Sequence, residues 1–166
     1  MAEKTLIIEE LEEFNKYTDF LDRLEEKDEI NIILDSGGGR SSIADYLIGK
    51  LLWKNYRLYV YNASSAALVM LDALSKWAEE INIAEYAFIV AHIWRIEVKM
   101  WDGWKLLYWE DRYIQETAKY IKPYHFDFLN EEEQKRYLDG EDIYIQPRRL
   151  QEYYNNLKKD GNTKTK

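Results

Sequence analysis

The run Asn31-Ile32-Ile33-Leu34 empties into Asp35-Ser36-Gly37-Gly38-Gly39-Arg40, and no other stretch constrains the fold as tightly. The run reads as a buried strand. Glycines at its end open backbone conformations closed to other residues and let N–H groups approach a ligand oxygen with no Cβ in the way. A helix-compatible segment, Ser42-Ile43-Ala44-Asp45-Tyr46-Leu47, follows at once. A second strand, Leu58-Tyr59-Val60-Tyr61, delivers Ser64 and Ser65 into the start of another helix, and a third, Phe88-Ile89-Val90-Ala91, delivers His92. Backbone donors, a hydroxyl and an imidazole thus all arrive at strand ends, which is the set of parts a serine hydrolase requires.

The rest of the chain follows the same alternation and predicts an α/β fold of repeated β-α-β units with a mainly parallel sheet. Thr5-Leu6-Ile7-Ile8 reads as the first strand. Leu11, Phe14, Thr18, Leu21 and Leu24 recur at helical steps, predicting an amphipathic helix. Ser41 or Ser42 is expected to cap the helix bearing Ile43, Leu47, Leu51 and Leu52. An apolar helix is expected over 66–77 and two short strands over 81–83 and 88–91. Alternation from Trp94 to Met100, a turn at Trp101-Asp102-Gly103-Trp104 and a return from Lys105 predict a hairpin. A helix over 110–122, a capping box of Asn130 with Glu133, a strand over 143–145 and a helix opened by Pro147 complete the pattern. One domain over 1–157 with a disordered tail over 158–166 is expected.

Charge and composition narrow the function. A net charge of −8 and a pI near 4.9 argue against nucleic acid, whose phosphates call for clustered Lys and Arg. The absence of cysteine excludes disulfides, thiolate catalysis and zinc–thiolate sites. No apolar stretch approaches the about 20 residues that span a membrane, and Met1-Ala2-Glu3-Lys4 has no signal-peptide character, so a cytoplasmic protein without membrane partners is expected. No cofactor or metal is called for.

Four motifs in order resemble the Clp protease proteolytic subunit family and its relatives in the ClpP/crotonase superfamily. The family's Ser-Pro-Gly-Gly loop reads as Ser36-Gly37-Gly38-Gly39, and its nucleophile motif as Ala63-Ser64-Ser65-Ala66-Ala67. Its strand ending in histidine reads as Ile89-Val90-Ala91-His92, and its aromatic-Leu-Ser-x-x-Glu helix start as Phe128-Leu129-Asn130-Glu131-Glu132-Glu133. The resemblance spans residues 4–145. It implies a serine peptidase acting on peptides or unfolded protein through an acyl-enzyme on Ser65, with His92 as general base.

The physical chemistry of those residues is consistent with that expectation. A serine at a helix N-terminus meets the positive end of the dipole, where the N–H of Ala66 and that of Gly38 or Gly39 can stabilise an oxyanion. The bland alternative makes Ser64 and Ser65 simple helix caps, and places Ser64 in a structural role. His125, the other histidine, has no strand leading to it and is read as structural. The family's acid falls on Phe126, one residue from Asp127, so Asp127 is the carboxylate left to complete a triad. The alternatives are a Ser65–His92 dyad or a catalytically inactive module serving as an assembly or regulatory partner. The enoyl-CoA hydratase branch shares the glycine loop but needs no Ser–His pair, and a Ser–Lys dyad would need a positioned lysine, whereas Lys54 and Lys76 read as solvated.

Six tryptophans and fourteen tyrosines, dense from Trp94 to Tyr124, exceed what a small core absorbs and point to an interface. By the family resemblance, a homo-oligomeric ring with the hairpin at a contact is expected. The short lead before the first strand leaves no counterpart of the family's segments that meet an unfoldase. It suits a phage-encoded or accessory member.

Overall fold

The computed structural model describes residues 3–92, 99–102, 105–108 and 124–159. Strands β1 (Glu3–Ile8), β2 (Glu29–Ser36), β3 (Asn55–Ser64) and β4 (Glu80–Ala91) lie side by side in that order and run parallel. Helices α1 (Asn15–Asp22), α2 (Ser41–Leu51) and α3 (Ala66–Ser75) make the three crossovers. Right-handed crossovers between successive neighbours all return on one face of the sheet. That face is the core: Ile30, Ile32 and Leu34 of β2 and Tyr56, Leu58 and Val60 of β3 are buried, with Leu47 and Leu51 of α2 and Leu68, Leu71 and Leu74 of α3. Each such aliphatic side chain contributes about 1.5–3 kcal/mol by leaving water. The alternate residues, among them Ile7, Ile33 and Tyr59, lie on the other face and are exposed or partly so, so β2 is a two-faced strand rather than a fully buried one.

A short hairpin, β5 (Lys99–Asp102) and β6 (Lys105–Tyr108), pairs Asp102 with Lys105. The expectations for 93–98, for the helix over 110–122 and for the tryptophan side chains of the hairpin lie outside the described residues. Beyond it come α4 (Glu131–Leu138), β7 (Ile143–Tyr144) and α5 (Pro147–Lys159). β7 adds antiparallel to β4 through Val90–Tyr144 and Ala91–Ile143. The Asn130–Glu133 capping box forms in both directions, and Glu133 also holds Arg149 through two contacts of 2.6 Å.

Several expectations are corrected. Leu11 is not in α1: it is fully buried and bridges to Gly39 ahead of the helix, whose buried face is Tyr17 and Leu21. Neither Ser41 nor Ser42 caps α2; Arg40 occupies that position with no side-chain cap. α3 stops at Ser75, and the two short strands expected over 81–83 and 88–91 are one strand, β4. α5 runs through Lys158 and Lys159, because the Lys158 ammonium binds the carbonyls of Ala78 and Glu79 (2.7 and 3.1 Å). The tail beyond 159 lies outside the described residues.

One irregularity shapes the end of the sheet. Tyr61 is skipped in the pairing of β3 with β2, and it stands against residues 84–87 in the pairing with β4. An extra residue in one strand reverses its side-chain alternation beyond that point. Burial on β3 duly passes from even positions, Tyr56, Leu58 and Val60, to Ala63.

Candidate active site

Beyond the bulge Ser36 stands beside Ala63, and Ser64 beside Val90. The glycine loop, Ser65 and His92 therefore leave three adjacent strands at one level, with neighbouring strands about 4.8 Å apart. This is the carboxyl edge of a parallel sheet, where α/β folds place their ligands.

Hydrogen bonds hold the glycine loop on several sides, one of them from the Ser36 hydroxyl to the Gly38 carbonyl (3.4 Å). The Leu11 N–H donates to the Gly38 carbonyl (3.1 Å) and the Arg40 N–H to the Leu11 carbonyl (2.7 Å). The Ser64 hydroxyl donates to the Gly37 carbonyl (2.9 Å), and the Gly38 N–H donates to the Ser36 hydroxyl oxygen (3.2 Å). Gly38 and Gly39 have φ of 110° and 130°, which side chains rarely adopt. A Cβ on Gly39 would lie 2.7 Å from the Leu11 carbonyl oxygen, and one on Gly38 would lie 2.6 Å from the Ser65 Cβ and 3.2 Å from its Oγ. Of the two loop amides expected as donors, that of Gly38 is thus committed to Ser36. Among the described residues no acceptor is recorded for the N–H of Gly39.

Ser65 has φ 54° and ψ −129° and is the one non-glycine residue at positive φ among those described. Such a conformation costs about 1–3 kcal/mol and persists only where its surroundings impose it. Its side chain makes no capping bond to α3, so the cap explanation of Ser65 fails, while Ser64 takes a structural role on the glycine loop. Ala66 is the first residue of α3; its N–H has no partner within the helix and lies at the positive end of the dipole. A strained serine turning from strand to helix, its hydroxyl released beside a glycine backbone, is the geometry of a nucleophile elbow.

His92 follows β4 directly, is partly buried, and makes no hydrogen bond or ion pair among the described residues. Asp127 is not brought to it by any described contact. Its carboxylate lies 3.5 Å from His125 Nε2, and both side chains are more than 60% exposed (67% and 61%). The neighbouring Phe126 is 2% exposed and packs on the rings of Tyr124, Phe128 and Tyr137. Residues 126–129 form a turn closed by the Leu129 N–H on the Phe126 carbonyl (3.1 Å), which buries Phe126 and Phe128 and leaves Asp127 facing outward.

Two residues escape a sequence reading. Leu11 anchors the loop but merges into the helical repeat of its neighbours. Asp72 stands in the apolar α3 with 1% exposure, and that contrast was the available signal. Its carboxylate accepts hydrogen bonds from Tyr124 (2.8 Å), Tyr154 (3.2 Å) and Lys76 (3.1 Å). Burial and the Asp72 charge hold both tyrosines well above the ordinary phenol range. Lys76 is thereby paired with Asp72.

The parallel sheet, its one-faced crossovers and its loaded carboxyl edge define an α/β fold of the ClpP-like kind. In that class, a serine-to-alanine mutant of the 1510-N membrane-bound stomatin-specific protease superposes with a TM-score of 0.53, at 16% identity, over 92% of this chain and 76% of that one. No protein-family model and no curated protein matches the sequence. Among the described residues no helix is long and apolar enough to cross a membrane, and no group of three acidic or histidine side chains could hold a metal.

Proposed function

We propose that the protein is a serine peptidase that cleaves peptides or unfolded protein through an acyl-enzyme on Ser65. The observation that carries this reading is the backbone of Ser65: a strained serine, excused from capping its helix and pressed against Gly38. His92 removes the hydroxyl proton as Oγ attacks the scissile carbonyl and returns it to the leaving amine. The N–H groups of Ala66 and Gly39 receive the developing oxyanion; losing one such donor costs about 10²–10³ in rate. Water then releases the acyl group, with His92 again as base. Asp127 stays outside this chemistry because its carboxylate is directed to His125, so the reaction runs on the Ser65–His92 pair. Subunits assemble into a homo-oligomeric ring in the cytoplasm, with the hairpin at a contact.

The test is turnover of a set of unstructured fluorogenic peptides. Ser65→Ala and His92→Ala remove it, whereas Asp127→Asn leaves it within about tenfold, because no partner of His92 is lost. A fall of about 10⁴, the effect of losing a triad acid, would return Asp127 to the site.

The exposed Asp127–His125 pair also favours a second reading, an inactive ClpP-like module that serves as an assembly or regulatory partner. A protein that assembles yet neither turns over peptide nor acylates Ser65 supports this reading against the first.

A further inference from the structure

We infer that Asp72 is a positioning residue: its hydrogen bonds to Tyr124 and Tyr154 fix α3, and with it Ser65 and the Ala66 N–H, against the rest of the site. The inference rests on the peptidase reading of Ser65.

Ala66, Ala67, Leu68, Met70, Leu71 and Leu74 are buried and hold α3 by close packing, to which hydrogen bonds add a defined direction and distance. Tyrosine hydroxyls from three segments converge on α3: Tyr56 of β3 on the Leu74 carbonyl (2.7 Å), Tyr154 of α5 and Tyr124 on Asp72. Asp72 lies seven residues from Ser65, two turns along one face and about 10 Å along the axis. A rod of that length transmits a shift at Asp72 to the N-terminus of the helix nearly undiminished.

Stability gives no reason for the carboxylate. A buried charge network replaced by apolar groups of similar volume is often neutral or stabilising. What such a replacement removes is direction. Tyr124 and Tyr154, held protonated by burial and by the adjacent carboxylate, remain donors throughout the neutral range. Lys76, partly exposed, can return to water when its partner goes.

The test is the full-length triple variant Asp72→Leu, Tyr124→Phe, Tyr154→Phe. The expected result is a thermal midpoint at or above that of the parent with a fluorophosphonate labelling rate at Ser65 about tenfold lower, as sub-ångström misplacement of a reacting group predicts. A folded variant that labels within twofold of the parent overturns the inference. If the triple variant does not fold, Tyr124→Phe alone is expected to slow labelling severalfold, and an unchanged rate overturns the inference equally. Hydrogen exchange at the Leu68 and Val69 amides, which donate to the Ser65 carbonyl (3.0 and 3.3 Å), provides a readout free of Ser65 chemistry. Faster exchange in the variant supports positioning and unchanged exchange refutes it, even in a parent protein that fails to label. Such a parent would sink the peptidase reading alone.

Discussion

The backbone of Gly38 lies against Ser65 so closely that a methyl group on the glycine would sit 2.6 Å from the serine Cβ. The glycine loop and the strained serine are two halves of one contact. Neither has a use for its conformation without the other. Gly38→Ala meets both this clash and a φ of 110°, so a loss of about 1–3 kcal/mol or more in a urea titration is expected. Gly37, with open space around it and no positive φ, provides the control: Gly37→Ala stays within about 0.5 kcal/mol of the parent.

Ser65 sets stability against chemistry. Its φ of 54° suits glycine, so Ser65→Gly relieves strain and raises the unfolding free energy by about 1 kcal/mol or more while removing the hydroxyl. Ser65→Ala keeps the strain and gains nothing. A calorimetric midpoint for Ser65→Gly at or below that of Ser65→Ala would show that the backbone there is unstrained.

Glu133 predicts a pH dependence remote from the site. Hydrogen bonds from Arg149 hold its carboxyl below the usual glutamate value of 4.5, and the Asn130 N–H adds to them. A depressed native pKa means that the unfolded chain takes up the proton first as pH falls. The contribution is therefore complete above pH 4.5 and disappears as pH drops through the native value. Arg149→Gln is expected to lower the urea midpoint at pH 7 and to flatten its decline below pH 4.5. An equal loss at both ends of that range would place the role of Arg149 in packing.

The fold was legible because its signals are local. The strand runs ending at Leu34, Tyr61 and Ala91 carry their own hydrophobic pattern, Asn130 and Glu133 spell their own cap, and Pro147 opens α5. The order of motifs along the chain named Ser65 and the glycines as candidates, and the structure brings Gly38 and Ser65 into contact. What stayed hidden is set by long-range contact. Leu11 takes its meaning from Gly39, 28 positions on, and Asp72 from tyrosines 52 and 82 positions away. Whether Gly38 or Gly39 offers its N–H depends on a bond to Ser36 that no pattern reveals. The single-residue skip at Tyr61, which reverses burial on β3 just before the site, is likewise a matter of pairing and not of propensity.

The account stands on an activated Ser65, and covalent labelling measures that directly. A fluorophosphonate incubated with the full-length protein, followed by intact mass and peptide mapping, is expected to add one adduct per chain, on Ser65. Ser64→Ala, which loses only a hydrogen bond to the Gly37 carbonyl, still labels; Ser65→Ala and His92→Ala do not. A folded parent that takes up no adduct, or an adduct that survives Ser65→Ala, would contradict the account.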